Sequence, residues 1–338
     1  MYITVLCRVV DNFGDIGVAW RLCRRLAKIQ SKYKICLIVD NFDSFSKIEF
    51  SVKKELSSQT VEGVEIFDWN NEAFCHDFFC QNDGEALQII LELFQCGRPD
   101  WMEKILFEEK LNRTVQIIMI DYLTAEKYAE DFHCLKSLTR SAKVQKVNFM
   151  PGFTERTGGL IIDEEWESLP PYNEKGPVLV FTYTMGVGLL EASGSLFFDK
   201  LMKGELMQLP YMPQSQWDKM MKQCSALIIR GEESMSRACL SGIPFIWQAY
   251  PQTEEYQLVK VRALLERMKP HFTAEAFDIV EKAWMEINKH DKNSQAIQDF
   301  LNARSTLVPY FQSFAKSLQK NGDLCTNLMT FINKIAII

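Results

Sequence analysis

The stretch RVVDNFGDIGVAWRLCRRL, residues 8–26, joins an apolar run to an amphipathic segment through a loop that carries two aspartates. The run that leads into it, YITVLCRVV, is short and rich in β-branched side chains, which predicts a strand buried on both faces. After the loop, apolar residues recur at helical spacing, at Ala19, Leu22, Cys23 and Leu26. A strand, a loop and a helix in this order form the opening unit of an α/β fold.

The loop itself is acidic, because Asp11 and Asp15 flank its centre. A carboxylate here would repel a pyrophosphate, and the GxGxxG fingerprint is absent, so a nicotinamide or flavin site is poorly supported. In one interpretation, Asp11 forms an Asx turn and Asp15 is an N-cap or first-turn acid favoured by the helix dipole. In the other, one carboxylate is a general base. Gly14 and Gly17 are expected to permit a tight turn and a close approach to another molecule.

Strand and helix patterns continue to alternate along the chain. KICLIVD, VEIFDW, ALQIILELF, VQIIMIDYL and KVNFMPGF predict further strands, although ALQIILELF could be helical. Residues 154–176 lose this periodicity and are interpreted as an interdomain linker. GPVLVFTYTM, SALIIR and PFIWQ then predict a second set of strands, and the tail from about Glu254 has a helical pattern.

This alternation predicts two doubly wound, Rossmann-like α/β domains that face a cleft. We place the first domain at residues 1–165 and the second at 166–319. The last helix, at about 320–338, is expected to pack back on the first domain.

Bulk composition excludes several classes of protein. A net charge of −6 over 338 residues gives no whole-chain attraction to nucleic acid or to an anionic membrane. No apolar run approaches the roughly 18 residues of a membrane span, and the start lacks a signal-peptide pattern. The ten cysteines form no CxxC pair, so we expect buried free thiols and a cytoplasmic location.

The stretch LIIRGEESMSRACLSGIPFIW carries a possible anion site. Its apolar residues recur at helical spacing from Met235 onward, which predicts a helix that begins near Glu233 or Ser234. Arg230 would lie beside the free N–H groups of that helix, where it could bind phosphate oxygens. Glu232 would suit a nucleotide that offers sugar hydroxyls. The alternative is a capping serine, an acidic first turn and a solvent-exposed arginine.

The stretch LPYMPQ, residues 209–214, lies shortly before that segment. Tyr211 offers a flat aromatic face and Gln214 an amide, so the loop could stack on a base and bind its edge. It could equally be a turn that leads into a helix. No DxD, Walker or HExxH pattern is present, and the histidines show no ligand spacing, so no metal is expected.

Four motifs occur in one order along the chain: DNFGDIGVAWRL, FMPGFTERTGGL, LPYMPQ and RGEESMSRACLSGIPFIWQAYPQ. Together they resemble the EarP family, the protein-arginine rhamnosyltransferases of elongation factor P. The resemblance implies a GT-B architecture and inverting transfer of rhamnose from TDP-β-L-rhamnose to an arginine nitrogen of elongation factor P. It implies no metal and no cofactor besides this donor substrate. The first domain would bind the acceptor protein and the second the nucleotide sugar.

The resemblance also assigns roles to residues. Asp11 and Asp15 match the paired aspartates of the family, with Asp15 as the general base. They lie in a loop with Asn12, Phe13, Gly14 and Gly17. The residues expected to contact the donor are Tyr183, Tyr211, Gln214, Arg230, Glu232, Glu233 and Ser234. The chain departs from the family at two of these, where tyrosine replaces the usual phenylalanine and glutamate an aspartate, at Tyr211 and Glu233.

Two other functions remain open from the residues alone. One is a GT-B enzyme that acts on a small or lipid-linked acceptor. The other is a non-catalytic nucleotide-sugar-binding module, against which the intact acids at Asp11 and Asp15 argue. The expected partners are elongation factor P and TDP-rhamnose, with no nucleic acid and no membrane.

Overall fold

A computed structural model describes residues 2–10, 13–81, 87–109, 111–168, 172–182, 194–198, 206–289 and 295–336, with 194–198 and 206–208 as backbone only. The chain forms two compact units. The N-terminal unit comprises Met1–Leu123, Tyr128–Asp163 and Gly322–Ile338. The C-terminal unit comprises Thr124–Lys127 and Glu164–Asn321.

The N-terminal unit is built on one sheet, whose described strands have the order β3-β4-β2-β1-β5-β6-β8-β7. The strands are β1 (Tyr2–Cys7), β2 (Lys34–Val39), β3 (Ser58–Val61), β4 (Val64–Asp68), β5 (Leu87–Leu93), β6 (Thr114–Ile120), β7 (Lys136–Ser137) and β8 (Val144–Asn148). The six strands predicted in this half are confirmed, and the stretch ALQIILELF forms a strand over Leu87–Leu93. The sequence did not predict the antiparallel edge strands β3 and β7.

The C-terminal unit has a mixed sheet of order β11-β10-β9-β12-β13. Its strands are β9 (Val178–Thr182), β10 (Gly194–Phe198), β11 (Leu206–Gln208), β12 (Ala226–Arg230) and β13 (Phe245–Gln248). β9, β12 and β13 are parallel, as predicted, whereas β10 and β11 run antiparallel to their neighbours. The sequence did not predict these antiparallel pairs. Residues 183–193 and 199–205 are shorter than the dozen or so residues that a parallel crossover needs.

Helices cover the sheets and form most of the tail, as its pattern predicted. They are α1 (Gly14–Ile29), α2 (Phe42–Ile48), α3 (Glu72–Gln81), α4 (Asp100–Phe107), α5 (Tyr128–Phe132), α6 (Glu164–Ser168), α7 (Gln214–Lys222), α8 (Glu232–Ser241), α9 (Gln257–Met268), α10 (Ala274–Asn288), α11 (Gln295–Lys320) and α12 (Leu324–Ile335). Among the described residues, no helix combines the length and apolar character that a membrane crossing requires.

The C-terminal helix α12 is part of the N-terminal core. It buries Leu324, Cys325, Leu328, Met329 and Ile332 in one apolar cluster with β1, β2 and α1. Its N-cap, Asp323, accepts hydrogen bonds from the backbone N–H groups of Thr326 at 3.0 Å and Ile162 at 2.9 Å. Arg25 of α1 donates to the same carboxylate at 3.2 Å. The helix is thus tied to α1 by packing and by charge.

The segment predicted to be an interdomain linker, residues 154–176, contains buried side chains in its described part. Those before residue 164 belong to the N-terminal unit, and those after it belong to the C-terminal unit. Residues 160–162 are buried, and Ile162 is fastened to the cap of α12. Trp166 of α6 is 2% exposed and carries the cations of Lys222 and Arg237 over its ring, at 5.2 and 5.3 Å. The apolar LII and tryptophan within the polar stretch explain this packing. The division between the units falls at Asp163 and Glu164.

Four residues assigned by sequence to the first domain, Thr124–Lys127, belong to the C-terminal unit. Arg267 of α9 donates to the carbonyl of Ala125 at 3.0 Å, and the Tyr256 hydroxyl donates to Glu126 at 3.0 Å. These contacts join residues far apart in the chain, so local sequence patterns could not reveal them.

Because α12 buries one side in the core of the N-terminal unit, the stability of this unit should depend on the helix. Leu328→Ala should destabilise the unit by about 2–5 kcal/mol, because the variant leaves a cavity at a fully buried position. Hydrogen exchange of peptides from β1 and β2 in increasing urea would measure the change. Asn333→Ala, at an exposed position of the same helix, is the matched control and should behave like wild type.

The cysteines allow a second prediction. Seven are buried, and Cys134 is the exposed one. Burial raises the pKa of the Cys75, Cys96 and Cys224 thiols to about 12, so these groups stay protonated at pH 8 and react slowly. Partial burial also raises the pKa of Cys134, so its exposure sets it apart, and the native chain should show one thiol that reacts faster with a disulfide reagent at pH 8 than the buried ones. Cys134→Ser should remove that phase, whereas several fast thiols in this variant would contradict the packing.

Candidate active site

The start of α1 fixes Asp15 in the first turn of the helix. The backbone N–H of Val10 donates to Asp15 Oδ2 at 2.8 Å, and the side chain is buried with 1% exposed. Phe13 occupies the N-cap position, and its carbonyl accepts from the N–H of Gly17 at 2.9 Å. Negative charge is stabilised at a helix N-terminus. The structure therefore gives Asp15 the first-turn position that one interpretation of the sequence required.

Gly14 and Gly17 do not form a turn, contrary to the sequence prediction. Both lie inside α1, which begins at Gly14, five residues before the apolar spacing becomes visible at Ala19. The first helical hydrogen bond runs from the N–H of Gly17 to the carbonyl of Phe13, so the first turn of the helix already contains both glycines. Asp11 and Asn12 lie outside the described residues.

A second acid, which the sequence analysis did not single out, lies at the same edge of the sheet. Asp40 follows β2 directly, and its Oδ1 accepts from the N–H of Val9 at 2.9 Å. Its other oxygen lies 3.6 Å from Arg8 Nε. Asp40 and Asp15 thus bind successive backbone N–H groups after β1. An acid directly after the neighbouring parallel strand was the available signal, because such strand ends meet at one edge.

Cys7 ends β1 beside these acids. Burial raises the pKa of its thiol well above the ordinary value, and the negative charge of Asp15 acts in the same direction. The thiol therefore stays protonated near neutral pH, and it is a poor nucleophile.

In the C-terminal unit, the corresponding strand–helix junction joins β12 to α8. Arg230 is the last residue of β12. One guanidinium nitrogen donates to the carbonyl of Thr182 at 3.1 Å, and the guanidinium lies 4.4 Å from the centre of the Phe181 ring. Gly231 follows with φ of 75° and caps α8, a conformation that favours glycine. The helix begins at Glu232, one or two residues before the predicted start near Glu233 or Ser234. Arg230 and Gly231 thus directly precede the first turn of α8, whose free N–H groups can bind an anion.

The structure joins two motifs that are separated in sequence. Gln214, the first residue of α7, donates from Nε2 to Glu233 Oε1 in the first turn of α8, at 3.0 Å. Ser234 is buried in the same turn, and Tyr211 exposes 64% of its surface in the loop before α7. Tyr183, the remaining predicted donor contact, lies outside the described residues.

Two residues near Arg230 were not predicted. Phe181 supports the guanidinium from β9, and Gln248 lies opposite Arg230 in the register of β12 with β13. Gln248 is 1% exposed, although it ends an otherwise apolar strand. The signal available in the sequence was a polar glutamine at the end of the apolar run FIW. Among the residues that the structure describes, no group of three or more His, Cys, Asp or Glu side chains could hold a metal ion.

Comparison with protein families gives one match over most of the chain. The model described as "Elongation-Factor P (EF-P) rhamnosyltransferase EarP" matches residues 3–175 and 188–333. A protein-arginine rhamnosyltransferase of Shewanella oneidensis is 26% identical, with 98% of this chain and 97% of that protein covered. One from Pseudomonas aeruginosa is 27% identical, with 84% and 86% covered.

Among solved structures, the spinosyn rhamnosyltransferase SpnG, complexed with thymidine diphosphate, has the same fold class. It superposes with a TM-score of 0.50 at 11% identity, over 98% of this chain and all of that chain. This likeness confirms the GT-B glycosyltransferase fold that the motifs implied.

Proposed function

The chain belongs to the EarP family of elongation factor P rhamnosyltransferases, and from this we propose that it transfers rhamnose from TDP-β-L-rhamnose to an arginine of elongation factor P. The observation that carries the proposal is a pair of strand–helix junctions of opposite polarity. The β1–α1 junction holds a carboxylate, and the β12–α8 junction holds an arginine and a glycine cap. The first suits a cationic acceptor and the second an anionic donor.

The reaction is a direct displacement at the anomeric carbon. An arginine nitrogen forms the new C–N bond while the C–O bond to TDP breaks, and its electrons leave with the diphosphate. The guanidinium has a pKa above about 12, so a carboxylate cannot deprotonate it beforehand. The proton must therefore leave as the C–N bond forms. One acid is needed to orient the guanidinium, and another is needed to accept the proton.

In this proposal Asp15 accepts the proton and Asp11 orients the guanidinium. The hydrogen bond from Val10 fixes the Asp15 carboxylate, so its position is set before the acceptor binds.

On the donor side, Arg230 and the first N–H groups of α8 bind the diphosphate and stabilise the charge of the leaving group. Glu232 binds ribose hydroxyls and Ser234 lies beside the phosphates. Tyr211 stacks on thymine, to which its exposed ring is suited. With these groups, departure of TDP needs no metal.

The structure revises the part that we assign to Glu233. Its carboxylate accepts from Gln214, so we propose that this pair joins the loop of Tyr211 to the start of α8. The extra methylene of glutamate, relative to the aspartate usual in the family, gives the reach for this bond. A cytoplasmic location, where elongation factor P acts, completes the proposal.

Mass spectrometry tests the function. Elongation factor P incubated with the chain and TDP-rhamnose should gain one deoxyhexose on a single arginine. The same acceptor with that arginine changed to lysine should gain nothing. Folded components that give no transfer would refute the proposal.

Two variants distinguish the catalytic role proposed for Asp15 from its structural hydrogen bond with the Val10 N–H. Asp15→Asn keeps an oxygen for the Val10 N–H but cannot accept a proton, so kcat should fall by roughly 10² to 10⁴ with the melting temperature nearly unchanged. Asp15→Ala loses both functions and should also be less stable. Turnover close to wild type in Asp15→Asn would assign this residue to the helix start alone.

The diphosphate role of Arg230 is tested by calorimetry with TDP. Arg230→Ala should weaken binding by roughly 10- to 100-fold, the worth of a charge-assisted hydrogen bond. Arg262→Ala, on the exposed side of α9 in the same unit, is the matched control. Equal TDP affinity in the two variants would exclude Arg230 from the donor site.

A further inference from the structure

The N-terminal unit exposes apolar side chains along one edge of its sheet. Leu138 is fully exposed, and Phe132 and Leu135 expose 47% and 49% of their surfaces. We call the exposed side chains of Phe132, Leu135, Lys136, Leu138 and Lys143 the edge surface. Single exposed apolar residues are ordinary, but three within residues 132–138, at the edge of a sheet, mark a candidate interaction site.

Backbone hydrogen bonds order the segment that carries these side chains. The N–H of Cys134 donates to the carbonyl of Asn148 at 2.8 Å, and the carbonyl of Leu135 accepts from the N–H of Asn148 at 3.0 Å. The N–H of Leu135 donates to the carbonyl of Phe132 at 3.0 Å. The apolar groups are therefore presented by an ordered segment, which reduces the entropy lost on binding.

This edge is open to another strand. β7 is the last strand of the sheet, and within the described part of the chain its neighbouring strand is β8. An edge strand can pair with an extended segment of a partner, and side chains around it supply specificity.

The charge of the segment differs from that of the whole chain. Residues 133–146 contain four cations and no carboxylate, although the chain has a net charge of −6. The two carboxylates just before Phe132, Glu130 and Asp131, lie 3.0 and 3.6 Å from the Arg156 guanidinium. Arg140 is engaged with Glu103 at 3.2 Å and with the Phe107 ring at 4.9 Å. Lys136 and Lys143 are exposed. A complementary partner therefore presents carboxylates around apolar groups.

We propose that the edge surface docks the protein acceptor, through an acidic face of that protein beside a strand edge. This inference rests on the proposed transfer to a protein arginine. The acceptor then meets two regions of opposite polarity on one sheet: the acids after β1 and β2 take its arginine, and the lysines around β7 take its acidic face. This arrangement fixes the orientation in which the arginine arrives.

The size of the sheet identifies the class of acceptor. β7 lies four strand positions from β1, which is about 19 Å at the usual strand spacing. A sugar or another small acceptor bound near Asp15 cannot reach that far. A folded protein can, because an ordinary protein interface covers about 800 Å² on each partner.

Two other occupants fit the edge surface less well. A second copy of this chain would bring Lys136 against its equivalent, and lysine on an edge strand opposes such pairing. Nucleic acid would match the lysines but would leave the two leucines and Phe132 without apolar contacts.

Steady-state kinetics with the intact acceptor protein tests the proposal. Leu135→Glu should raise the acceptor KM by about tenfold, as loss of a typical interface anchor does, with kcat and TDP affinity unchanged. The matched control is Leu56→Glu, which changes a leucine of the same 49% exposure in the same unit, before the opposite edge strand β3. Leu138→Glu and Lys136→Glu should repeat the effect, and melting temperatures confirm that the variants fold.

Each outcome has a distinct meaning. An unchanged KM in Leu135→Glu, with wild-type transfer intact, overturns the docking surface and leaves the proposed function standing. Absence of transfer by the wild type refutes the proposed function itself. A wild-type dimer that Leu135→Glu separates in sedimentation assigns the edge surface to self-association instead. Binding of RNA by the wild type that Lys136→Glu abolishes assigns it to nucleic acid.

Discussion

The hydrogen bond from the Val10 N–H to Asp15 is the constraint on which the candidate site depends. A buried carboxylate is costly unless hydrogen bonds and nearby positive charge compensate it. Here the backbone after β1 supplies the donor, and the start of α1 supplies the positive end of a dipole. The same bond sets the path of the chain from strand to helix. The Asp15 carboxylate therefore fixes the start of the helix and also serves the proposed chemistry, which explains why this acid is buried there.

The two units use the same local architecture with opposite charge. In each, a parallel strand ends beside a helix N-terminus, which is the usual ligand position in α/β sheets. The N-terminal unit places Asp15 and Asp40 there, on the backbone N–H groups that follow β1. The C-terminal unit places Arg230 there, supported by Phe181 and the carbonyl of Thr182. One architecture can thus serve a cationic acceptor and an anionic donor.

Much of the fold follows from the sequence, because β-branched runs and helical spacing act locally. Long apolar strands such as β5 and β6 were predictable for that reason. β7 has two residues and β11 has three, so no periodicity marks them, and β10 begins with Gly194 and Ser195, which carry no apolar side chain. The bond between Gln214 and Glu233 and the docking of residues 124–127 join distant parts of the chain, which patterns do not encode. The family motifs supplied the candidate site residues, whereas the burial of Asp15 required the structure.

The central claim is that an arginine nitrogen displaces TDP directly while Asp15 accepts its proton. The anomeric configuration of the product, read by NMR on the modified arginine, tests this claim most directly. Transfer from the β-linked donor by one displacement predicts an α-linked rhamnosyl arginine. A β-linked product would require two successive displacements through a covalent intermediate, and would contradict the role proposed for Asp15.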